Sequence, residues 1–211
     1  MISVAPASRR GFLKVSMAAL GAASVGAPAL AATALAAPTP TAPGQGAIVA
    51  AARQALAQAG GRVAHGDLVG VADFNQPSRA ARFHLVDMAG GKVDSLLVAH
   101  GRGSDPDHSG WLRHFSNALG SAATSEGRYV TGDYYTGQHG RSMRLHGLDA
   151  SNDNAYARAI VVHAAWYVSP QMVREHGVLG RSEGCFAVGQ ADLAQVLERL
   201  GPGRLIVAAK L

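Results

Sequence analysis

Arg82-Phe83-His84-Leu85-Val86-Asp87-Met88 and Lys92-Val93-Asp94-Ser95-Leu96-Leu97-Val98-Ala99 flank Ala89-Gly90-Gly91. Two short runs of β-forming residues around a small, glycine-bearing link read as a hairpin. Downstream, Gly101 to Gly110 is a Gly/Asp/Ser loop and Trp111 to Leu119 a short helical or irregular segment. Arg128–Tyr135, Ser142–Leu148 and Ala159–Val168 follow as further strands. Asp192–Leu200 reads as a helix stopped by Gly201-Pro202-Gly203, and Arg204–Ala209 as a closing strand. Upstream, Ile48, Ala52, Leu56 and Ala59 fall at helical spacing before Gly60-Gly61. Strands dominate without regular β-α alternation. The expected class is therefore mainly β, a mostly antiparallel barrel or sandwich with peripheral helices, in a single domain over residues 47–211.

Composition narrows the function. The chain has 211 residues, 48% hydrophobic and 16% charged, which suffices for a packed core and excludes a disordered protein. One cysteine excludes an intramolecular disulfide. The net charge of +5 is concentrated upstream, in Arg9, Arg10 and Lys14. With those set aside, 16 basic face 14 acidic residues, too even a balance for a nucleic-acid binder. Ser8-Arg9-Arg10-Gly11-Phe12-Leu13-Lys14, the Ala/Gly-rich stretch Val15–Leu35, and the small-residue sites Ala29-Leu30-Ala31 and Ala34-Leu35-Ala36 read as a twin-arginine export signal over residues 1–36. A Pro/Thr linker, 37–46, follows. The expected product is a periplasmic protein with no stable membrane insertion once the signal is cleaved.

The lone cysteine stands in Arg181-Ser182-Glu183-Gly184-Cys185-Phe186. Free cysteines are often buried structural thiols. Here, however, polar residues and a glycine make a turn rather than an apolar run. A glycine before a nucleophile lets substrate approach, and the N–H groups of Gly184 and Cys185 would face a developing oxyanion. A nucleophilic thiol also needs a base. His163 lies inside Ile160-Val161-Val162-His163-Ala164-Ala165-Trp166, far enough upstream for a strand to end and a loop to return beside it. A core histidine satisfied by a hydrogen bond is the other reading of that residue.

Ser182-x-Gly184-Cys185 with an upstream strand histidine resembles the signature of the L,D-transpeptidase (YkuD-type) catalytic domain, and more of the chain resembles its murein L,D-transpeptidase branch. The matching stretches are Val98-Ala99-His100-Gly101, Phe115-Ser116-Asn117, Thr124 to Tyr129, Gly137-Gln138-His139-Gly140, Arg144 to Leu148, Asn152 to Ala155, Ala159 to Val168 and Leu179 to Cys185. Glu183 and Phe186 depart from the pattern, as does the want of an arginine just after the cysteine.

The resemblance implies an L,D-transpeptidase-like mixed β-barrel or sandwich acting on peptidoglycan stem peptides. Cys185 would attack the diaminopimelate carbonyl of a tetrapeptide donor, release D-alanine, and pass the thioester to an amine acceptor in a 3→3 crosslink. His163 would serve as base, and neither metal nor organic cofactor would be required. Hydrolysis of the same thioester would make an L,D-carboxypeptidase. Ser182 would brace the turn or orient His163. Arg181 or Arg144 would meet a substrate carboxylate, His139 and His146 would line the donor site, and Tyr129 is a further orienting or substrate-binding candidate. Glu183 is expected to point away from the thiol. Two rivals remain: a non-catalytic wall-binding module, and a zinc peptidase or amidase built on His100, Asp105, Asp107, His108 and His114.

Overall fold

The computed structural model describes residues 43–211. The expected export signal and residues 37–42 of the linker lie outside that range. Helix α1 (Gln45–Ala59) starts three residues ahead of Ile48, because the Gly44 carbonyl already accepts from the Ala47 and Ile48 N–H groups. Its first turn is exposed apart from Ile48, so the apolar stripe alone could not mark where it begins.

Among the described residues, nine strands form one sheet: β1 (Leu68–Asp73), β2 (Phe83–Asp87), β3 (Val93–Leu96), β4 (Val98–Ala99), β5 (Gly127–Gly137), β6 (Gly140–Gly147), β7 (Val161–Ala164), β8 (Phe186–Val188) and β9 (Leu205–Ala209). Their order is β3-β2-β1-β9-β5-β6-β7-β8-β4. The chain is mainly β, as expected, with two parallel contacts, β1 with β9 and β7 with β8, among antiparallel neighbours.

The expected hairpin is present. Phe83 pairs with Leu96 and Val86 with Val93, and the Asp87 carboxylate accepts the N–H groups of Ala89 and Gly90 in the turn. Its second run is nonetheless two strands. After Leu97 the chain leaves β2 and pairs Val98 and Ala99 with β8, at the opposite edge of the sheet. Since Leu96 and Val98 are two residues apart, the two edges lie within about 7 Å of one another, and the sheet must curl nearly closed. Arg82, fully buried, donates to the Val98 carbonyl from Nε (3.2 Å) and Nη2 (3.0 Å) and holds the chain where it changes edge.

Strand alternation sorts the core. On β1 and β9, Leu68, Ala72, Ile206 and Ala208 join the central cluster with Phe83, Tyr129, Met143, Val162 and Phe186, while Val69, Val71, Leu205 and Val207 turn to α1. Helix α3 (Leu193–Leu200) sends Val196, Leu197 and Leu200 into the central cluster. Helix α2 (Pro170–His176) was not anticipated. It is capped by Ser169, whose Oγ accepts from Met172 N–H at 3.1 Å, and ends at left-handed Gly177.

Candidate active site

On β7 and β8, Val162, Phe186 and Val188 face the core. The period of two therefore puts Val161, His163 and Ala187 on the other face. His163 pairs with Ala187, and Cys185 lies two residues ahead of Ala187, in the bend immediately before β8. Both open into a cleft of about 860 Å³, which is also lined by His139, Tyr135, Arg158 and Tyr167.

The turn carrying the thiol is locked from within. Ser182 Oγ donates to the Cys185 carbonyl (2.7 Å) and accepts from Gly184 N–H (3.1 Å). Ser182 thus braces the turn. The Gly184 N–H is engaged by that hydroxyl, which leaves the Cys185 N–H of the two expected oxyanion donors. Gly184 has φ +114°, and a Cβ there would lie 2.6 Å from the Ala123 carbonyl oxygen. The turn is zipped to the 100–110 loop: Ser182 N–H donates to the His100 carbonyl (2.9 Å) and Arg102 N–H to the Ser182 carbonyl (2.7 Å).

Behind that loop runs a buried polar chain. Arg82 Nη2 donates to His100 Nδ1 at 2.8 Å, since a guanidinium can only donate. His100 Nε2 then carries the proton and meets Asp105 Oδ2 at 3.3 Å. Burial above all, with the Arg82 charge, drives the His100 pKa down to about 3. Asp105 also accepts from Ser109 N–H, Ser109 Oγ and Gly110 N–H. The five residues of the zinc reading do not converge: His108 Nε2 bonds the Leu179 carbonyl, and no three His, Cys, Asp or Glu among the described residues are grouped to hold a metal.

Cys185 is half-buried, and its Sγ donates to the Ala159 carbonyl at 3.6 Å. Burial pushes the thiol pKa up; Val161 N–H and the Arg158 charge pull it down, and Glu183 adds to the push. His163 is 2% exposed, and burial draws its pKa below the ordinary value. Its Nδ1 lies 2.9 Å from the Ala164 carbonyl, an acceptor, so Nδ1 holds the proton and Nε2 is the basic nitrogen. Burial thus favours the uncharged form of each group.

The remaining expected residues divide. His139, at the tip of the β5–β6 hairpin, stacks on His163 with ring centroids 4.2 Å apart. Arg181 lines the cleft but is tied through Nη1 to the Asp105 and Pro106 carbonyls. Arg144 lies on β6 against Tyr135 and Tyr156, and His146 is stacked on Tyr156 at 5.1 Å. Tyr129 is not in the site. Its ring is fully buried against Phe186, and its hydroxyl donates to the Ser125 carbonyl at 2.7 Å. Glu183 is exposed and paired with Arg102 at 3.1 Å, although its charge still bears on the thiol. Phe186 is a core aromatic at the start of β8.

Sequence reasoning missed Arg158 and Tyr167. Arg158 donates to the Ser116 carbonyl (2.8 Å), Ser125 Oγ (2.6 Å) and the Ala123 carbonyl, and places a cation near the thiol. It reaches the cleft from the β6–β7 loop, not from the cysteine's own strand. Tyr167 lines the same cleft, and burial raises its pKa to about 12.

A mixed, nearly closed β-sheet with an imidazole on one strand and a thiol in the turn entering the next defines the class. The chain belongs to the L,D-transpeptidase catalytic domain family, whose model matches residues 46–208. Its fold is similar to that of an L,D-transpeptidase from Mycobacterium smegmatis (14% identity, covering 68% of this chain and 58% of that one, TM-score 0.40). It is also similar to L,D-transpeptidase 3 from Mycobacterium tuberculosis (15% identity, 68% and 61%, TM-score 0.40). A third is the helical cell shape determining protein Pgp2 from Campylobacter jejuni (12% identity, 75% and 54%, TM-score 0.44). The chain thus spans between 54% and 61% of the length of these solved structures. No curated protein matches it.

Proposed function

We propose that this domain is an exported L,D-transpeptidase acting on peptidoglycan stem peptides, with Cys185 as nucleophile and His163 as base. The observation that carries the reading is that His163, on β7, and Cys185, in the bend entering β8, line one cleft, with His163 Nε2 left basic by the Ala164 carbonyl.

In the resting state the thiol rests on the Ala159 carbonyl. Rotation about its χ1 brings Sγ toward His163, which takes the proton as sulfur attacks the carbonyl at the L-centre of diaminopimelate. The tetrahedral oxyanion draws on the Cys185 N–H. Collapse breaks the amide bond, and the imidazolium gives its proton to the departing D-alanine amine. The acceptor amine then attacks the thioester, loses its proton to His163, and the Cys185 thiol is restored as the new amide forms. Water in place of the amine gives the carboxypeptidase outcome.

The test is incubation of the purified protein with disaccharide-tetrapeptide, read by mass spectrometry. D-Alanine release with crosslinked dimers, both lost in Cys185→Ala, is the expected result. D-Alanine release alone identifies a carboxypeptidase, and unchanged substrate with the wild-type protein overturns the proposal. Export is tested by Arg9→Lys together with Arg10→Lys, which should retain the protein in the cytoplasm.

A further inference from the structure

Arg144 pairs with Val161 across the β6–β7 ladder, and Val161 lines the cleft. Residues opposite one another in a ladder point to one face, so the Arg144 guanidinium emerges on the face that carries His163. It is half-buried there, lying over the Tyr135 ring at 4.4 Å and beside the Tyr156 ring at 5.5 Å. Tyr135 itself lines the cleft. Tyr156 is held in turn by the His146 stack, and the chain from it runs through Ala157 and Arg158 to Ala159, whose carbonyl receives the thiol.

What sets Arg144 apart is its lack of an acceptor. Every other buried or half-buried arginine among the described residues (Arg82, Arg128, Arg158, Arg181, Arg199 and Arg204) donates to a carbonyl or carboxylate. The Arg144 guanidinium has ring contacts only. Half-burial removes part of its water, the ring contacts compensate the charge, and no protein acceptor takes its N–H groups. A planar fork of donors with no protein acceptor is matched by a carboxylate, bound bidentately.

We propose that Arg144, clamped by Tyr135 and Tyr156, forms a subsite that binds a free carboxylate of the stem peptide. This rests on the reading of the cleft as a stem-peptide site. Two carboxylates supply the same chemistry: that of the terminal D-alanine, and that at the D-centre of diaminopimelate.

The test uses Cys185→Ala protein, which cannot turn substrate over, titrated calorimetrically with three tetrapeptides. One is the free acid, one is amidated at the C-terminus, and one is amidated at the diaminopimelate carboxylate. A charge-assisted bidentate pair is worth about 1.5–3 kcal/mol, so one of the two amides should bind roughly 10–100-fold more weakly than the free acid. The weaker amide identifies the carboxylate that is read. Adding Arg144→Gln should weaken the free acid by a similar factor and abolish discrimination against that amide. Equal binding of all three peptides overturns the proposal, as does discrimination that survives in Arg144→Gln, or no binding of the free acid at millimolar concentration. The peptide comparison needs no change at Arg144, so misfolding of that variant leaves the test intact. Crosslinking by the wild-type protein reads the reaction separately: a working transpeptidase that ignores amidation refutes the subsite alone.

Discussion

Replacing Gly184 by alanine tests whether the thiol-bearing turn is built as described. At φ +114° the residue occupies backbone space open essentially to glycine alone, and forcing a side chain there costs about 1–3 kcal/mol. The added Cβ would meet the Ala123 carbonyl oxygen at 2.6 Å, Ile160 Cδ1 at 2.9 Å and Arg158 Nη2 at 3.0 Å. The carbonyl belongs to backbone tied to Arg158, so it has little room to retreat, and overpacking of this kind adds about 1–3 kcal/mol. The combined cost is about 2–6 kcal/mol. At about 2–4 °C per kcal/mol for a domain of this size, the melting temperature should fall by on the order of 10 °C. Thermal unfolding measures the fall, and the rate of iodoacetamide alkylation of Cys185 should change with it as the thiol leaves its place. Gly46→Ala is the control. It lies in the exposed first turn of α1, where an added methyl would find nothing within 4 Å, and should stabilise by about 0.5–1 kcal/mol. A Gly184→Ala protein that melts within about 1 °C of wild type, with unchanged alkylation, would refute this account of the turn.

Arg158→Gln should move the midpoint of Cys185 alkylation to higher pH, because the Arg158 charge lowers the thiol pKa; Arg158→Lys should restore most of it. A midpoint unmoved in Arg158→Gln removes the electrostatic role and leaves only the carbonyl ties. In the wild-type protein, burial holds the thiol above and the imidazole below their ordinary values, so alkylation should titrate above about pH 8.5 and the acid limb of kcat/KM should lie below about pH 6.5. A thiolate persisting at pH 6 would mean a standing ion pair. His100, with a folded pKa of about 3, binds fewer protons folded than unfolded, so its contribution is complete above about pH 6.5 and is lost as pH falls toward 3. Urea unfolding between pH 6 and 4 should show a slope of about 1.4 kcal/mol per pH unit that His100→Gln flattens; an equal slope in that variant would show that other groups set it.

What the sequence made legible, and what it hid, follows from the range of the forces involved. The β2–β3 turn could be read because Ala89-Gly90-Gly91 and the Asp87 carboxylate settle it locally. The break at Leu97 could not, for Lys92–Ala99 is one uninterrupted β-type run. Its division comes from Arg82 and β8, both distant in the chain. Helix α2 carried its own punctuation in Ser169-Pro170 and Gly177, yet it buries no residue fully and so lacks the stripe that betrays a helix. Cys185 and His163 stood out because a thiol in a polar turn and an imidazole in an apolar run each contradict their surroundings. Tyr129 was misplaced for want of the register. Paired with Ile206 and Gly147, it falls on the inward side of β5. Arg158 has no periodic or motif signal, since its position depends on carbonyls of the 116–125 segment that only the folded chain supplies.

The closure of the sheet and the candidate chemistry are one construction. By crossing from β3 to β4 the chain delivers His100 and Gly101 alongside the cysteine turn, where Gly101 bridges Ser182 in parallel. The 121–123 segment packs against the same stretch and leaves no space for a side chain at Gly101 or Gly103, since a Cβ would fall 2.4 Å and 2.0 Å from the carbonyl oxygens of Ala122 and Ser121. Ala122 and Ala159 are two of the three non-glycine residues with positive φ among the described residues, and both line the cleft beside Cys185. Strain gathered at one place persists only where the surroundings enforce it. Here the enforcement is visible: the buried Arg82–His100–Asp105 chain on one side, and Arg158 gripping Ser116, Ala123 and Ser125 on the other. A lone structural thiol would need none of this, because a cysteine packed among hydrocarbon asks only for volume. The backbone around Cys185 is held in costly conformations that keep its sulfur at an open cleft, which is the arrangement the proposed role as nucleophile requires.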